Sequence, residues 1–324
     1  MKALRWTLVV SLVATYVLIV LGALVRSTNS GLSCPDWPTC YGQWVITPAQ
    51  FAALGYTGFT YTQVMLEWVH RALAGVFVGP LVLGIVALAV VHRRRRPELV
   101  SWAVLLLVLL LVQAKLGGLT VFDANSPWSV ALHLGNALLV FAVMAKLWVM
   151  AGPAPTTPIG EAPRLVAGAA CLAALMTMVT AAMTAKSGAS LACSTWPACN
   201  GVWLPDLDDP LVRVHFFHRA LALLTGLLVL LLVIVGWRQG DARLRRALWA
   251  LPAVVLVQAL LGALVIWLQV PVWTAVLHQA TGVALFLALS YVLWWLRAAP
   301  RPRPSVGDRE DVGLRGPGTS LRAT

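Results

Sequence analysis

Glu67-Trp68-Val69-His70-Arg71-Ala72-Leu73-Ala74 opens an apolar run that continues to Val91 and stops at His92-Arg93-Arg94-Arg95-Arg96. At 1.5 Å per helical residue the stretch from His70 to His92 covers roughly 33 Å, enough to cross a hydrocarbon core of about 30 Å. It therefore reads as a membrane helix with a histidine near one face and four arginines at the other. Similar runs lie near 6–26, 68–91, 100–121, 130–150, 164–185, 215–236, 246–268 and 274–296. They predict an all-α, polytopic membrane protein with eight transmembrane helices. Only 11% of the 324 residues are charged and 60% are hydrophobic, which excludes an ordinary soluble domain, and the number of runs excludes a single-anchor protein. Lys2 and Arg5 before the first run resemble a secretory signal. No A-x-A-like cleavage pattern follows, so a retained helix is expected.

Basic residues set the orientation. Lys2, Arg5, Arg93 to Arg96, Lys146, Arg164, Arg238, Arg243, Arg245, Arg246 and six arginines from Arg297 onward all fall on one side of the predicted membrane. They are 18 of the 24 Lys and Arg residues, and the positive-inside rule makes that side cytoplasmic. Both termini are expected inside, in a cell membrane. Residues 297–324, rich in Pro, Gly, Arg and Ser, read as a disordered cytoplasmic tail. Topology accounts for the formal charge of +12, so membrane lipid and not nucleic acid is the expected partner.

The chain repeats itself. Ser33-Cys34-Pro35-Asp36-Trp37-Pro38-Thr39-Cys40-Tyr41-Gly42 returns as Ala192-Cys193-Ser194-Thr195-Trp196-Pro197-Ala198-Cys199-Asn200-Gly201. His70-Arg71-Ala72-Leu73-Ala74 returns as His218-Arg219-Ala220-Leu221-Ala222, Val112-Gln113-Ala114 as Val257-Gln258-Ala259, and Ala131-Leu132-His133 as Val276-Leu277-His278. The order predicts two repeat-related four-helix bundles, residues 1–150 and 151–296.

His70, His133, His218 and His278 start the even-numbered spans, near the outer face. Each half thus offers two imidazoles from two helices. A compact zinc or copper site needs three or four converging ligands. Two histidines in apolar surroundings suit a haem, one on each side of the iron, so one haem site per half is expected. A lone membrane histidine is ordinarily an interhelical hydrogen bond; four at repeat-related positions are not. His92 reads as an interfacial residue. Glu67, three residues before His70, lies beside the first site as a solvated helix-start charge or a base, and its repeat counterpart is His215. Arg71 and Arg219 either snorkel or pair with haem propionates. Lys115 has no counterpart in the second half. Its burial cost calls for a partner such as a propionate or Glu67, or for snorkelling. Two C-x5-C pairs in outer loops predict disulfides Cys34–Cys40 and Cys193–Cys199, stapling the loops over the sites. Cys171 reads as a packing residue.

Ser30-Gly31-Leu32-Ser33-Cys34-Pro35-Asp36-Trp37-Pro38, Glu67-x-x-His70-Arg71, His133, His218-Arg219 and His278, in this order on eight spans, resemble the haem A synthase family over roughly residues 10 to 296. The cysteine pairs resemble its cysteine-containing branch. The resemblance implies an oxidoreductase that converts haem O into haem A for terminal oxidases, by two successive hydroxylations of the C8 methyl group to a formyl group. It implies haem b as cofactor with His218 and His278 as axial ligands, haem O as substrate at His70 and His133, and Glu67 as an essential acid. A haem O synthase and an electron donor or acceptor are the implied partners. The competing readings are a b-type cytochrome taking electrons from quinol, a haem carrier or oxidase assembly factor, and a quinone-linked thiol oxidase.

Overall fold

The computed structural model describes residues 1–55, 57–237 and 242–301. Among them there is no β-strand, and eight helices are long and apolar enough to cross a membrane. The protein is an all-α, multi-pass membrane protein. Its elements are α1 (Lys2–Ser27), a short α2 (Pro48–Ala53), α3 (Tyr61–Ala72), a π-helical segment Leu73–Val78, α4 (Gly79–Val91), α5 (Glu98–Phe122), α6 (Pro127–Met150), α7 (Glu161–Lys186), α8 (Pro210–Gly236), α9 (Ala242–Trp267) and α10 (Val272–Ala298). From α3 to α4 the chain runs as one interrupted span, Tyr61–Val91. The expected tail beyond residue 301, like Arg238, lies outside the described residues.

Two spans begin well before their apolar runs. Residue 61 replaces 68 and residue 210 replaces 215, because polar first turns are capped and need no hydrocarbon. Thr60 and Gln63 form a reciprocal capping box on α3, and Asp209 accepts from the Leu211 amide ahead of α8, with Pro210 in its first turn. Both devices satisfy amides that a helix start otherwise leaves unpaired.

Packing is ordered around α1, α6, α7 and α10. Helix α1 packs on α4, α6 and α10; α5 lies on α4 and α6; α7 lies on α6, α8 and α10; α9 lies on α8 and α10. One apolar core joins α1, α4, α5 and α6 through Leu8, Ile85, Leu106 and Met144. The other joins α6 to α10 through Phe141, Ala170, Leu232, Leu251 and Phe286. Buried alanines along α7, Ala167, Ala170, Ala174 and Ala182, permit the close backbone approach that drives helix association in lipid. The π-helical segment has no match in α8. Buried positions in the first case are Val64, Glu67, Val78, Val82, Ile85 and Ala89; in the second they are His215, Thr225, Val229, Leu232 and Gly236.

Candidate functional site

Three of the four predicted ligand histidines turn the Cε1 edge of the ring to a glycine of a neighbouring helix. A Cβ added to Gly22 of α1 would stand 3.1 Å from His70 Cε1, one on Gly117 of α5 would stand 3.2 Å from His133 Cε1, and one on Gly262 of α9 would stand 3.1 Å from His278 Cε1. Any larger residue would push the ring aside. His218 and His278 face each other with ring centroids 6.5 Å apart and planes at 83°. His70 and His133 are close enough to interact electrostatically.

The second ring nitrogens differ. His218 Nδ1 donates to the Thr177 carbonyl at 3.1 Å, which fixes the tautomer and leaves Nε2 for a metal. His70 faces the Leu18 backbone of α1, the position that Thr177 holds in the second half, but its Nδ1 makes no close, well-aligned hydrogen bond. The Gln113 amide nitrogen lies 3.1 Å from His133 Nδ1, and that of Gln258 lies 3.2 Å from His278 Nδ1. Gln113 Oε1 accepts from Asn136 Nδ2 at 2.7 Å, whereas Gln258 Oε1 is buried and unpaired. Among the described residues no group of three or more His, Cys, Asp or Glu side chains could hold a metal ion.

Above the histidines sit the two disulfide loops, Cys34–Cys40 and Cys193–Cys199, with Cα atoms 4.7 and 4.5 Å apart. Each pairs its second cysteine with the residue three further on, Gln43 or Val202. Each also turns through positive φ at Tyr41-Gly42 or Asn200-Gly201. In the first loop the Asp36 carboxylate accepts from the Tyr41 amide (2.5 Å), the Gly42 amide (3.0 Å) and the Thr39 hydroxyl. Burial alone would raise the Asp36 carboxyl, but these donors together hold it below its ordinary value. In the second loop Thr195 Oγ1 takes the Gly201 amide instead, at 2.9 Å.

Both loops are pinned to the helix below. Glu67 is only 4% exposed; its Oε2 accepts from the Cys34 amide (2.9 Å) and Ser33 Oγ (3.0 Å), and its Oε1 pairs with Arg71 Nη2 at 2.5 Å. Arg71 also donates to the carbonyls of Asp36 (2.5 Å), Thr39 (2.7 Å) and Cys34 (3.0 Å). In the second half Arg219 Nε donates to His215 Nε2 at 3.1 Å, which leaves His215 Nδ1 to donate to the Ala189 carbonyl at 2.8 Å. Arg219 further donates to the carbonyls of Thr195 (2.7 Å), Ala198 (3.1 Å) and Cys193 (2.8 Å). Both arginines therefore spend their donors on loop backbone, and Glu67 is partnered by Arg71 and not by Lys115.

The sequence pattern of the family described as cytochrome oxidase assembly protein, COX15-CtaA, matches residues 5–290. The chain belongs to this family. It is 31% identical over 327 residues to a protein named "Heme A synthase" from Granulibacter bethesdensis, covering 88% of this chain and 85% of the relative. A protein of the same name from Rhodospirillum centenum is 31% identical over 345 residues, covering 93% and 90%. Another from Shouchella clausii is 30% identical over 255 residues, covering 76% and 80%.

The remaining polar residues of this COX15-CtaA member fall away from the histidines. Lys115 is exposed and makes no ion pair among the described residues. His92 Nε2 lies 3.0 Å from the N-terminal amine, and Cys171 Sγ lies 3.5 Å from Ser290 Oγ. Gln113 and Gln258 stand in the repeated sequence words, each 20 residues before its histidine, but only the structure brings them to the rings. Arg26 and Lys186, one at the end of α1 and one at the end of α7, carried no repeat signal strong enough to mark them.

Proposed function

We propose that the protein is the membrane oxidoreductase that converts haem O into haem A for terminal oxidases, oxidising the C8 methyl group to a formyl group by two successive hydroxylations. Residues 1–150 and 151–296 act as two repeat-related four-helix bundles, the first taking haem O at His70 and His133, the second holding a resident haem b at His218 and His278. Both termini lie in the cytoplasm and the loop-covered sites face the outer side. A haem O synthase supplies substrate, and an electron acceptor or donor completes the oxidation.

The observation that supports this division of labour is that only the first half sets a carboxylate, Glu67, beside its histidines, where the second has His215, while His218 Nδ1 is held by the Thr177 carbonyl. A ligand whose far nitrogen is fixed suits a permanently bound group, since such outer hydrogen bonds typically account for 10–100-fold in affinity. Two imidazoles holding one iron from opposite sides stand about 6 Å apart between centroids, given metal–nitrogen bonds of about 2.0–2.1 Å. The 6.5 Å separation of His218 and His278 supports that pair as ligands.

When bound, haem supplies the redox chemistry; the chain orients it and manages protons. A carboxylate has about four acceptor sites, and Glu67 spends three of them on Ser33, Cys34 and Arg71. The fourth is free to take the proton released at the methyl carbon, or to stabilise positive charge developing there. Ser33, Cys34 and Arg71 fix that carboxylate, and the stapled loop above it limits access of water.

The test is acid–acetone extraction and chromatography of haems from the purified protein, expressed with and without a supply of haem O. Haem B with haem O and haem A supports the reading; haem B alone in both preparations returns the protein to a b-type cytochrome. Glu67→Gln is expected to keep both haems and lose haem A formation, and haem A at the wild-type rate in that variant would remove Glu67 from the mechanism.

A further inference from the structure

A pocket of about 170 Å³ opens where the loop-side ends of α1 and α7 meet the start of α10, lined by Arg26, Ser27, Asn29, Lys186, Ser190 and Ala275 among others. Arg26 and Lys186 approach closely enough to repel each other. Neither forms an ion pair among the described residues. A single cation at a helix C-terminus is favoured by the helix dipole. Two from separate helices, half-buried and converging on one pocket, cost energy unless an anion lies between them. Ser27 Oγ is buried there with no hydrogen-bond partner, so a donor is also left unused. Gln279 Oε1 accepts from Arg26 Nη2 at 3.2 Å and holds the guanidinium in place, on the residue next to His278.

We infer that this pocket binds an anionic oxygen group, a carboxylate or phosphate, between Arg26, Lys186 and Ser27. Its position beside Gln279 and His278 assigns it to a carboxylate arm of the tetrapyrrole at His278, a step that rests on the function proposed above. The phosphate of an anionic lipid offers the same chemistry. The volume fits such a group, about six waters' worth of liquid space, and not a macrocycle. The pocket joins α1 of the first half to α7 and α10 of the second, so one bound anion would tie the two halves together.

Full-length protein from a haem-limited host, in nanodiscs of neutral lipid, is titrated with iron protoporphyrin IX and with its dimethyl ester, whose carboxylates are blocked. Uptake is read from the low-spin absorption bands. Wild-type protein should bind the diacid about 10-fold more tightly than the diester, the worth of one charge-assisted hydrogen bond. Arg26→Gln and Lys186→Gln should each lose most of that preference, and Lys186→Arg should keep it. In parallel, native mass spectrometry of discs doped with phosphatidylglycerol counts retained lipid. Loss of that lipid in the variants, with porphyrin preference unchanged, keeps the anion site and transfers it to lipid phosphate. Equal porphyrin preference and equal lipid retention in wild type and both variants overturns the site. Failure of the wild type to take up either porphyrin sinks the haem reading instead, and the lipid measurement then decides the pocket alone. Circular dichroism and the two intact disulfides establish that the variants fold.

Discussion

The two disulfide loops are anchored by repeat-related arginines and by different partners beneath them. Arg71 leans on a carboxylate, Glu67, and Arg219 leans on an imidazole, His215, yet each also binds three or more carbonyl oxygens of its own loop. An imidazole therefore suffices to dock a loop of this shape. The carboxylate in the first half is more than docking requires, and it stands three residues before His70. The second half has no such carboxylate; its anchor is an imidazole, and the His218 ring is fixed by the Thr177 carbonyl. On the function proposed above, the second half holds and the first reacts.

The sharpest way to break this contrast is to put the second anchor into the first half. Glu67→His should leave the Cys34–Cys40 disulfide intact and slow haem A formation by about 10²–10⁴-fold, the range of a lost general acid or base. Retained activity, measured by haem extraction, would reduce Glu67 to an anchor. Removal of one ligand should separate the halves next. His218→Ala should lower retained haem b by at least about 10-fold after purification, while His70→Ala should leave it unchanged; equal losses would erase the distinction between resident and exchanging sites. Arg71→Gln strands a buried carboxylate and should cost about 3–5 kcal/mol, whereas Arg219→Gln, beside a neutral ring, should cost about 1–3 kcal/mol. Thermal unfolding followed by disulfide accessibility ranks the two. The smallest effect belongs to Asp36, whose loop counterpart is the hydroxyl of Thr195. Its carboxyl is held below its ordinary value of 3.8. Its contribution is thus fully present above about pH 4 and is lost as pH falls through the lowered value. Asp36→Asn should narrow the stability gap to wild type as pH drops from 6 to 3, and a gap independent of pH would show that the carboxylate charge is not what holds the turn.

Much of this was legible before any coordinates. Apolar length predicted all eight spans because lipid demands continuous hydrocarbon-facing helix, and the early starts of α3 and α8 escaped only because capped polar turns carry no apolar signal. The histidines and cysteines were visible through their repetition. Their partners were not. Thr177 acts through a carbonyl, which every residue has, and Gly22 reaches His70 from a helix 48 positions away in sequence. Arg71 and Arg219 read equally as snorkelling or propionate-binding residues because the loop carbonyls they meet are a tertiary fact. Arg26 and Lys186 join only when α1 and α7 end at the same pocket.

The π-helical turn at Leu73–Val78 leaves a mark on the register of its span. Downstream of it the buried positions Val78, Val82, Ile85 and Ala89 repeat the spacing of Thr225, Val229, Leu232 and Gly236 step for step. Upstream, Glu67 lies 11 residues before Val78, while His215 lies 10 before Thr225. A π turn is what a helix does with one surplus residue when both of its ends are already committed to partners. Relative to α8 the first span thus carries one surplus residue absorbed in place, and removing one residue between 73 and 78 should restore a plain helix with the downstream core positions in register.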